Sequence, residues 1–162
     1  MTTHKHWDHA AHNQWFVDTY PGIRVISGTN EPVFASNENL ADGDTLSNLL
    51  DGSITVEAFE TPCHTRAHNM FIVTVVGAQD VNKMIFTGDC LFEGGVGMFF
   101  EGNPEQMYTI MDNLFNRRIT ENHDRCALFF GHDYGWKNYM WAHDFVFNGE
   151  TTMNKFKQDS SN

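Results

Sequence analysis

Basic residues are scarce in this chain: 10 Lys and Arg stand against 21 Asp and Glu, a formal charge of −11. So acidic a surface repels a phosphate backbone, and nucleic acid is not expected as a partner. Bound divalent cations would offset part of that charge. Cysteine is also sparse. Cys63, Cys90 and Cys126 form an odd, widely spaced set with no Cys-x-x-Cys pair. Such a set argues against a disulfide frame and fits buried or loop thiols in a reducing compartment. No apolar run approaches the ~18 residues of a membrane span, and no charged-then-apolar leader precedes the first motif. A soluble cytoplasmic protein without membrane contact is the expectation. Only four prolines occur, no Pro- or Gly-rich linker divides the 162 residues, and no internal repeat is visible. That length is one domain's worth and can bury a core.

What the chain does contain is a packed globule's composition, 41% hydrophobic with 14% aromatic residues. The pattern predicts a helix over Ala10 to Tyr20, ended by Pro21-Gly22, then a strand over Ile23 to Ser27. The polar segment from Gly28 to Asp44 reads as a loop. Ile54, Val56 and Ala58 alternate with Thr55, Glu57 and Phe59, a strand with one mostly apolar face. Met70 to Val76 is a continuous β-branched run, typical of a buried strand, and Met84 to Thr87 and Ala127 to Phe130 are two further strands. Asn103, Pro104 and Gln106 mark a helix start, and Met107, Ile110, Met111, Leu114 and Phe115 follow as its core stripe. A last helix is predicted over Trp136 to Phe147. Strands alternating with helices give an α/β class.

The chemistry is concentrated at the start. Thr3-His4-Lys5-His6-Trp7-Asp8-His9 places four potential ligands within six positions. Imidazole nitrogen with carboxylate oxygen suits zinc, iron and manganese. In an extended segment residues i and i+2 share a side, so His4 and His6 can grip one ion. The chain must then turn for Asp8 and His9 to reach another. Three more ligand-type residues stand where strands end: His64 in Thr61-Pro62-Cys63-His64-Thr65, Asp89 after Phe86-Thr87-Gly88, and His132 after Phe129-Phe130-Gly131. Strand ends are where α/β sheets present catalytic groups, and an unpaired buried carboxylate such as Asp89 is costly unless liganded or capped. His12, His68, His123 and His143 read as structural, supporting or surface residues. Cys63 is read as no nucleophile, because a metal motif explains its neighbour His64, and Cys90 as a small packed residue.

The segments THKHWDH, TPCHTRAH, FTGDCLFEGGVGMFFEGNPEQM and GHDYGWKN, in this order, closely resemble the metallo-β-lactamase superfamily. Within it they look most like glyoxalase II, the hydroxyacylglutathione hydrolases. The resemblance runs from about residue 2 to residue 147. It implies an αββα sandwich in which His4, His6 and His64 hold one metal and Asp8, His9 and His132 hold another. Asp89 would bridge the two, and Asp8 and Asp89 would be the catalytic carboxylates. Two divalent ions ~3.5–4 Å apart share a hydroxide formed at neutral pH, which attacks a carbonyl. A thioester suits such a site because its leaving thiol has a pKa near ~8.5 and departs with little acid assistance.

The resemblance also implies departures. The glyoxalase II position after the Gly-x-Gly turn is a Lys or Arg that binds glutathione; here it is Met98. An aromatic hydroxyl two residues later is replaced by Phe100, whereas Tyr134 matches. Met98, Phe100 and Tyr134 are the expected substrate contacts. The family's strands ahead of the first motif and its C-terminal helical domain have no counterpart here. Residues 1–147 are therefore expected to be a partial catalytic domain with an incomplete N-terminal sheet, and 148–162 a polar tail. Self-association or a partner chain would cover the exposed sheet. The expected activity is hydrolysis of S-acylglutathione, such as S-lactoylglutathione, by a pair of metal ions, zinc first with iron or manganese as alternatives. Two other readings are a persulfide dioxygenase-like enzyme with one iron, and a non-catalytic interaction module.

Overall fold

A computed structural model of the chain describes residues 1–119 and 125–147. Its centre is a five-stranded sheet of order β3-β4-β5-β6-β9, with β3 Thr45–Leu49, β4 Ile54–Glu60, β5 Asn69–Val75, β6 Lys83–Gly88 and β9 Cys126–Phe130. The first four strands pair antiparallel, and β9 joins β6 in parallel. Between those last two the chain passes through α3, Pro104–Asn113.

The alternation of side chains assigns each sheet face a partner. Phe59, Met70, Ile72 and Ile85 point to the side where Met107, Ile110 and Leu114 descend from α3 and its continuation. Val56, Ala58, Phe71 and Val73 point to the other side, against Ile26 and Leu40. These last two belong to β1, Ile26–Gly28, and β2, Glu38–Leu40, a parallel two-stranded ladder. The layers are thus helix, sheet and ladder. β4 is buried on both faces, because Phe59 fills the α3 side while Val56 and Ala58 fill the other; an alternating pattern does not forbid that when the off-face residue is also apolar.

α3 starts as its sequence predicts. Asn103 Oδ1 accepts the Gln106 amide at 2.9 Å, and Gln106 Oε1 accepts the Asn103 amide at 3.0 Å, a complete capping box. Met107, Ile110 and Leu114 are buried, whereas Phe115 is exposed. The reason is that the helix widens into a π turn over Leu114–Arg118, where Ile119 N–H bonds Leu114 O at 3.1 Å. The turn changes the angular step, rotates Phe115 outward and sets Arg118 over the Phe59 ring, 4.2 Å from its centroid.

Two expectations near the N-terminus change. The helix expected over Ala10 to Tyr20 is two pieces, α1 Trp7–Ala10 and α2 Asn13–Thr19. The interruption falls at Ala11 and His12, and Asn13, the first residue of α2, is buried, accepts from Thr2 Oγ1 at 3.0 Å and donates to Phe34 O at 2.8 Å, bonds that anchor the start of α2. The segment expected as a loop over Gly28 to Asp44 contains β2, whose single buried side chain, Leu40, is too little pattern to read. α4, Gly135–Phe147, forms as predicted within one residue. The smaller strands β7, Leu91–Phe92, and β8, Gly95–Val96, make a hairpin just after Asp89. The tail beyond residue 147, and His123, lie outside the described residues.

Candidate metal centre

All seven ligand candidates stand together at one end of the sheet. α1 is a single turn inside the first motif: Ala10 N–H bonds His6 O at 3.0 Å. It leaves His4 and His6 on the extended side and swings Asp8 and His9 to the other. His64 comes from the loop after β4, Asp89 from the end of β6 and His132 from the end of β9.

The donors fall into two groups. His4 Nε2 lies 3.0 Å from His6 Nδ1, which lies 3.1 Å from His64 Nε2. His9 Nε2 lies 3.3 Å from His132 Nε2, and Asp8 Oδ2 is 3.4 Å and 3.1 Å from those two nitrogens. Asp89 faces both groups. Its Oδ2 is 3.5 Å from His64 Nε2 and 3.2 Å from His132 Nε2, and its Oδ1 is 3.3 Å from His9 Nε2.

The far sides of the rings are held in ways that free these lone pairs. His64 Nδ1 donates to Met98 O at 2.9 Å, so Nε2 carries no proton. Thr3 Oγ1 sits 3.1 Å from His4 Nδ1 and holds that ring in place, as a hydroxyl that can donate or accept. Such outer contacts fix tautomer and orientation in metal sites. Burial pushes His4 down to about 2, with His68 and His9 nearby adding to it, and burial also lowers His64. Contact with the Asp89 carboxylate raises His9. Burial alone would raise Asp89, but its contact with His9 and the rings of His132 and His4 bring the carboxyl down to about 2.

Close backbone approach makes this possible. A Cβ on Gly131 would collide with Asp89 Oδ1 and stand 3.0 Å from His9 Cε1, and one on Gly97 would collide with the Asp89 carbonyl. The glycines at the strand ends are therefore spacers for the carboxylate.

The residue set fits divalent cations. Among the described residues, Asp89 Oδ1 is buried and meets no donor in good hydrogen-bonding geometry, although His9 Nε2 at 3.3 Å is close enough to shift the titration of both groups. Imidazole nitrogens facing one another at 3.0–3.3 Å either share one N–H···N hydrogen bond or share a cation. Donor separations of 3.0–3.5 Å match the edge of a tetrahedron with bonds of about 2.0–2.1 Å.

The expected substrate contacts surround this cluster. Phe100 is exposed, with its ring centroid 5.7 Å from that of His6 and 5.1 Å from that of His64. Met98 is 67% exposed, and its carbonyl rather than its side chain touches the cluster. Tyr134 lies beside His132, 5.5 Å between ring centres. Cys63 and Cys90 are buried thiols; burial raises Cys63 and pushes Cys90 up to about 12, which suits neither for nucleophilic attack. His12 is exposed, and His143 sits on α4 beside Asp144.

Sequence reasoning passed over Glu31. This buried carboxylate accepts Lys5 N–H at 2.8 Å and Thr65 Oγ1–H at 2.9 Å, tying the segment of His4 and His6 to that of His64. It lies in a stretch read as loop, where nothing in the local pattern marks it.

The five-stranded sheet, with α3 on one face, the β1-β2 ladder on the other and the ligands at its strand ends, is shared with proteins of the metallo-β-lactamase fold. A solved metallo-β-lactamase from Staphylococcus aureus shares it at TM-score 0.59 and 22% identity, covering 83% of this chain and 40% of its own. Hydroxyacylglutathione hydrolases are similar in sequence as well. The cytoplasmic enzyme of Arabidopsis thaliana is 42% identical over 108 residues, 67% of this chain and 40% of its own. That of Dictyostelium discoideum is 34% identical over 142 residues, 88% of this chain and 50% of its own. The chain is thus similar to hydroxyacylglutathione hydrolases (glyoxalase II) over most of its residues, and spans about half the length of the curated relatives it matches. No family model matches it. The His and Asp groups at the strand ends are candidate ligands for a divalent metal.

Proposed function

We propose that this chain carries a two-metal centre and hydrolyses thioesters derived from glutathione. The observation that carries the reading is Asp89, whose carboxylate faces two adjoining groups of three donors, His4-His6-His64 and Asp8-His9-His132, and itself groups with His4 and His9 where they meet. His4, His6 and His64 would hold one ion, Asp8, His9 and His132 the other, and Asp89 would be shared. Ions bound there would polarise a carbonyl and bring the pKa of a bound water close to neutrality.

The chain's own residues do the rest. Met98 O keeps the His64 imidazole in the tautomer that presents a lone pair, and Thr3 Oγ1 fixes the orientation of the His4 ring. Asp8, 56% exposed at its side chain, stands at the mouth, where substrate arrives. Phe100 and Met98 offer apolar contact, and Tyr134 a phenolic hydroxyl, to the thiol portion. A thiolate needs no protonation to leave, and among the described residues no dedicated acid is evident beside the cluster, which is consistent with a thioester rather than an amide. The imidazole and carboxylate set suits zinc, with iron and manganese as alternatives. Cytoplasmic location is in keeping with the name of the Arabidopsis relative, and among the described residues no helix is long and apolar enough to cross a membrane.

The same reading extends to a covering partner. Phe86 and Phe129 stack at 5.0 Å on the sheet face away from α3, Phe129 is 44% exposed, and a cavity of about 480 Å³ opens beside them. A further protein segment or second chain would bury that face.

The test is metal content per folded chain, with S-lactoylglutathione hydrolysis followed by thiol release. Close to two ions and metal-dependent turnover is the expected result. About one iron per chain with oxygen consumption would favour the single-iron reading instead. Well under one ion in monodisperse protein would overturn the enzymatic reading.

A further inference from the structure

His68 is fully buried and belongs to neither donor group, yet it contacts three parts of the centre. Its Nε2 accepts the amide N–H of Asp89 at 3.2 Å, and its Nδ1 lies 2.8 Å from Thr61 Oγ1. Its ring centroid is 4.9 Å from that of His4. An amide can only donate, so Nε2 is the bare nitrogen and the ring proton sits on Nδ1. Thr61 Oγ1 accepts that proton and donates in turn to His68 O at 3.2 Å. Every polar atom of the pair then has one role and one tautomer.

The connection spans two ligand-bearing segments. Thr61 N–H bonds His68 O at 2.7 Å, closing the neck of the loop that carries His64. From that neck the imidazole reaches across to the end of β6, where Asp89 begins. Gly88, at φ +52, makes room for it: a Cβ there would stand 2.6 Å from His68 Nε2 and 2.6 Å from Thr3 Oγ1. The glycine before Asp89 is thus matched to the histidine that holds Asp89.

We propose that His68 is a positioning residue for the metal centre, its imidazole holding the Asp89 backbone so that the carboxylate faces both donor groups. It ligates nothing itself and acts only through Asp89 and the His64 loop. The proposal rests on the metal-centre reading above.

Two variants of the full chain separate this role from simple packing. His68→Leu keeps bulk but offers no acceptor to Asp89 N–H; His68→Gln places an amide oxygen close to the lost Nε2. Cobalt(II) is the probe, with affinity from titration and coordination from its visible absorption, beside the melting temperature of each metal-free protein. The expected result is a ~10–100-fold loss of cobalt affinity in His68→Leu, the range typical when an outer contact of a ligand is removed. Its absorption bands should also change shape, and His68→Gln should recover both affinity and bands. A His68→Leu protein that binds cobalt within ~3-fold of wild type with the same bands overturns the proposal. So does a His68→Gln protein as weak as His68→Leu when the two melt alike. Wild-type protein that takes up no cobalt overturns the metal centre itself and the role of His68 with it, and so is told apart from the other failures.

Discussion

Asp89 is where single-residue substitutions are most informative. Because its carboxylate faces both donor groups, Asp89→Ala should lose both ions together, whereas His9→Ala should mainly empty the group it shares with Asp8 and His132. Elemental analysis of the purified variants checks this, and two ions retained by Asp89→Ala would remove its bridging role. Gly131→Ala makes a subtler case. The added methyl pushes against Asp89 Oδ1 and His9, so metal affinity should fall at least ~10-fold, in the range found for displaced ligand supports. Competition with a chelator measures it; unchanged affinity would mean the strand end has slack that the close contact denies.

At the scale of elements, the capping box on α3 and the buried rings under the centre set stability. Asn103→Ala leaves the Gln106 amide without its cap and should cost about 1 kcal/mol in urea unfolding, with the slope unchanged. The metal-free protein should also weaken in acid. His4 and His68 are held down to about 2 and about 3 from 6.5, His68 mainly by burial. Below pH 6.5 the unfolded chain therefore binds protons that the folded chain refuses, and stability falls as pH drops through that value. Each ring approaches a slope of about 1.4 kcal/mol per pH unit. Asp89 acts in the same direction at lower pH, its stabilisation being lost as pH falls from 3.8 toward 2. His9 works the other way, since its raised folded pKa gives stability that is present below 6.5 and lost as pH rises. With His64 also lowered by burial, three rings outweigh one, so urea midpoints in chelator should decline from pH 7.5 to 5; a flat profile would mean those rings are hydrated in solution.

The same elements mark what the sequence could reveal. Strands β4, β5, β6 and β9 and helix α3 were legible because β-branched runs, Pro62, Gly88, Gly131 and the Asn103 cap punctuate them. The convergence of His4, His6, Asp8, His9, His64, Asp89 and His132 was legible for a related reason, since each follows a strand or opens a turn. Glu31, β2 and the start of α2 at Asn13 were not. Each depends on a hydrogen bond or pairing between distant segments, such as Glu31 to Lys5 and Thr65, and distant partners leave no periodicity in either segment. The sequence groups His68 with other histidines as structural, supporting or surface residues, because a histidine that accepts from a backbone amide has no signature of its own.

For the whole molecule, charge and metal act together. A chain at −11 that gathers Asp8 and Asp89 at one end should gain strongly from cations placed there. Saturation at about 100 times the dissociation constant contributes about 2.7 kcal/mol. For a chain of this size that corresponds to a rise of about 5–11 °C in melting temperature. Calorimetry of chelated against zinc-loaded protein measures it, and no rise at saturating zinc would leave the two donor groups without a ligand.

The parallel joint of β6 and β9 gives the centre a history as well as a geometry. His4, His6, His64 and Asp89 all precede the crossover through α3, whereas His132 follows β9, the last strand to enter the sheet. A pairing that must first close so long an excursion is slow to form. During refolding the first ion can therefore be captured while the second set of donors is still open. Cobalt present from the start should report this as two bursts of colour, the later one keeping time with the docking of β9.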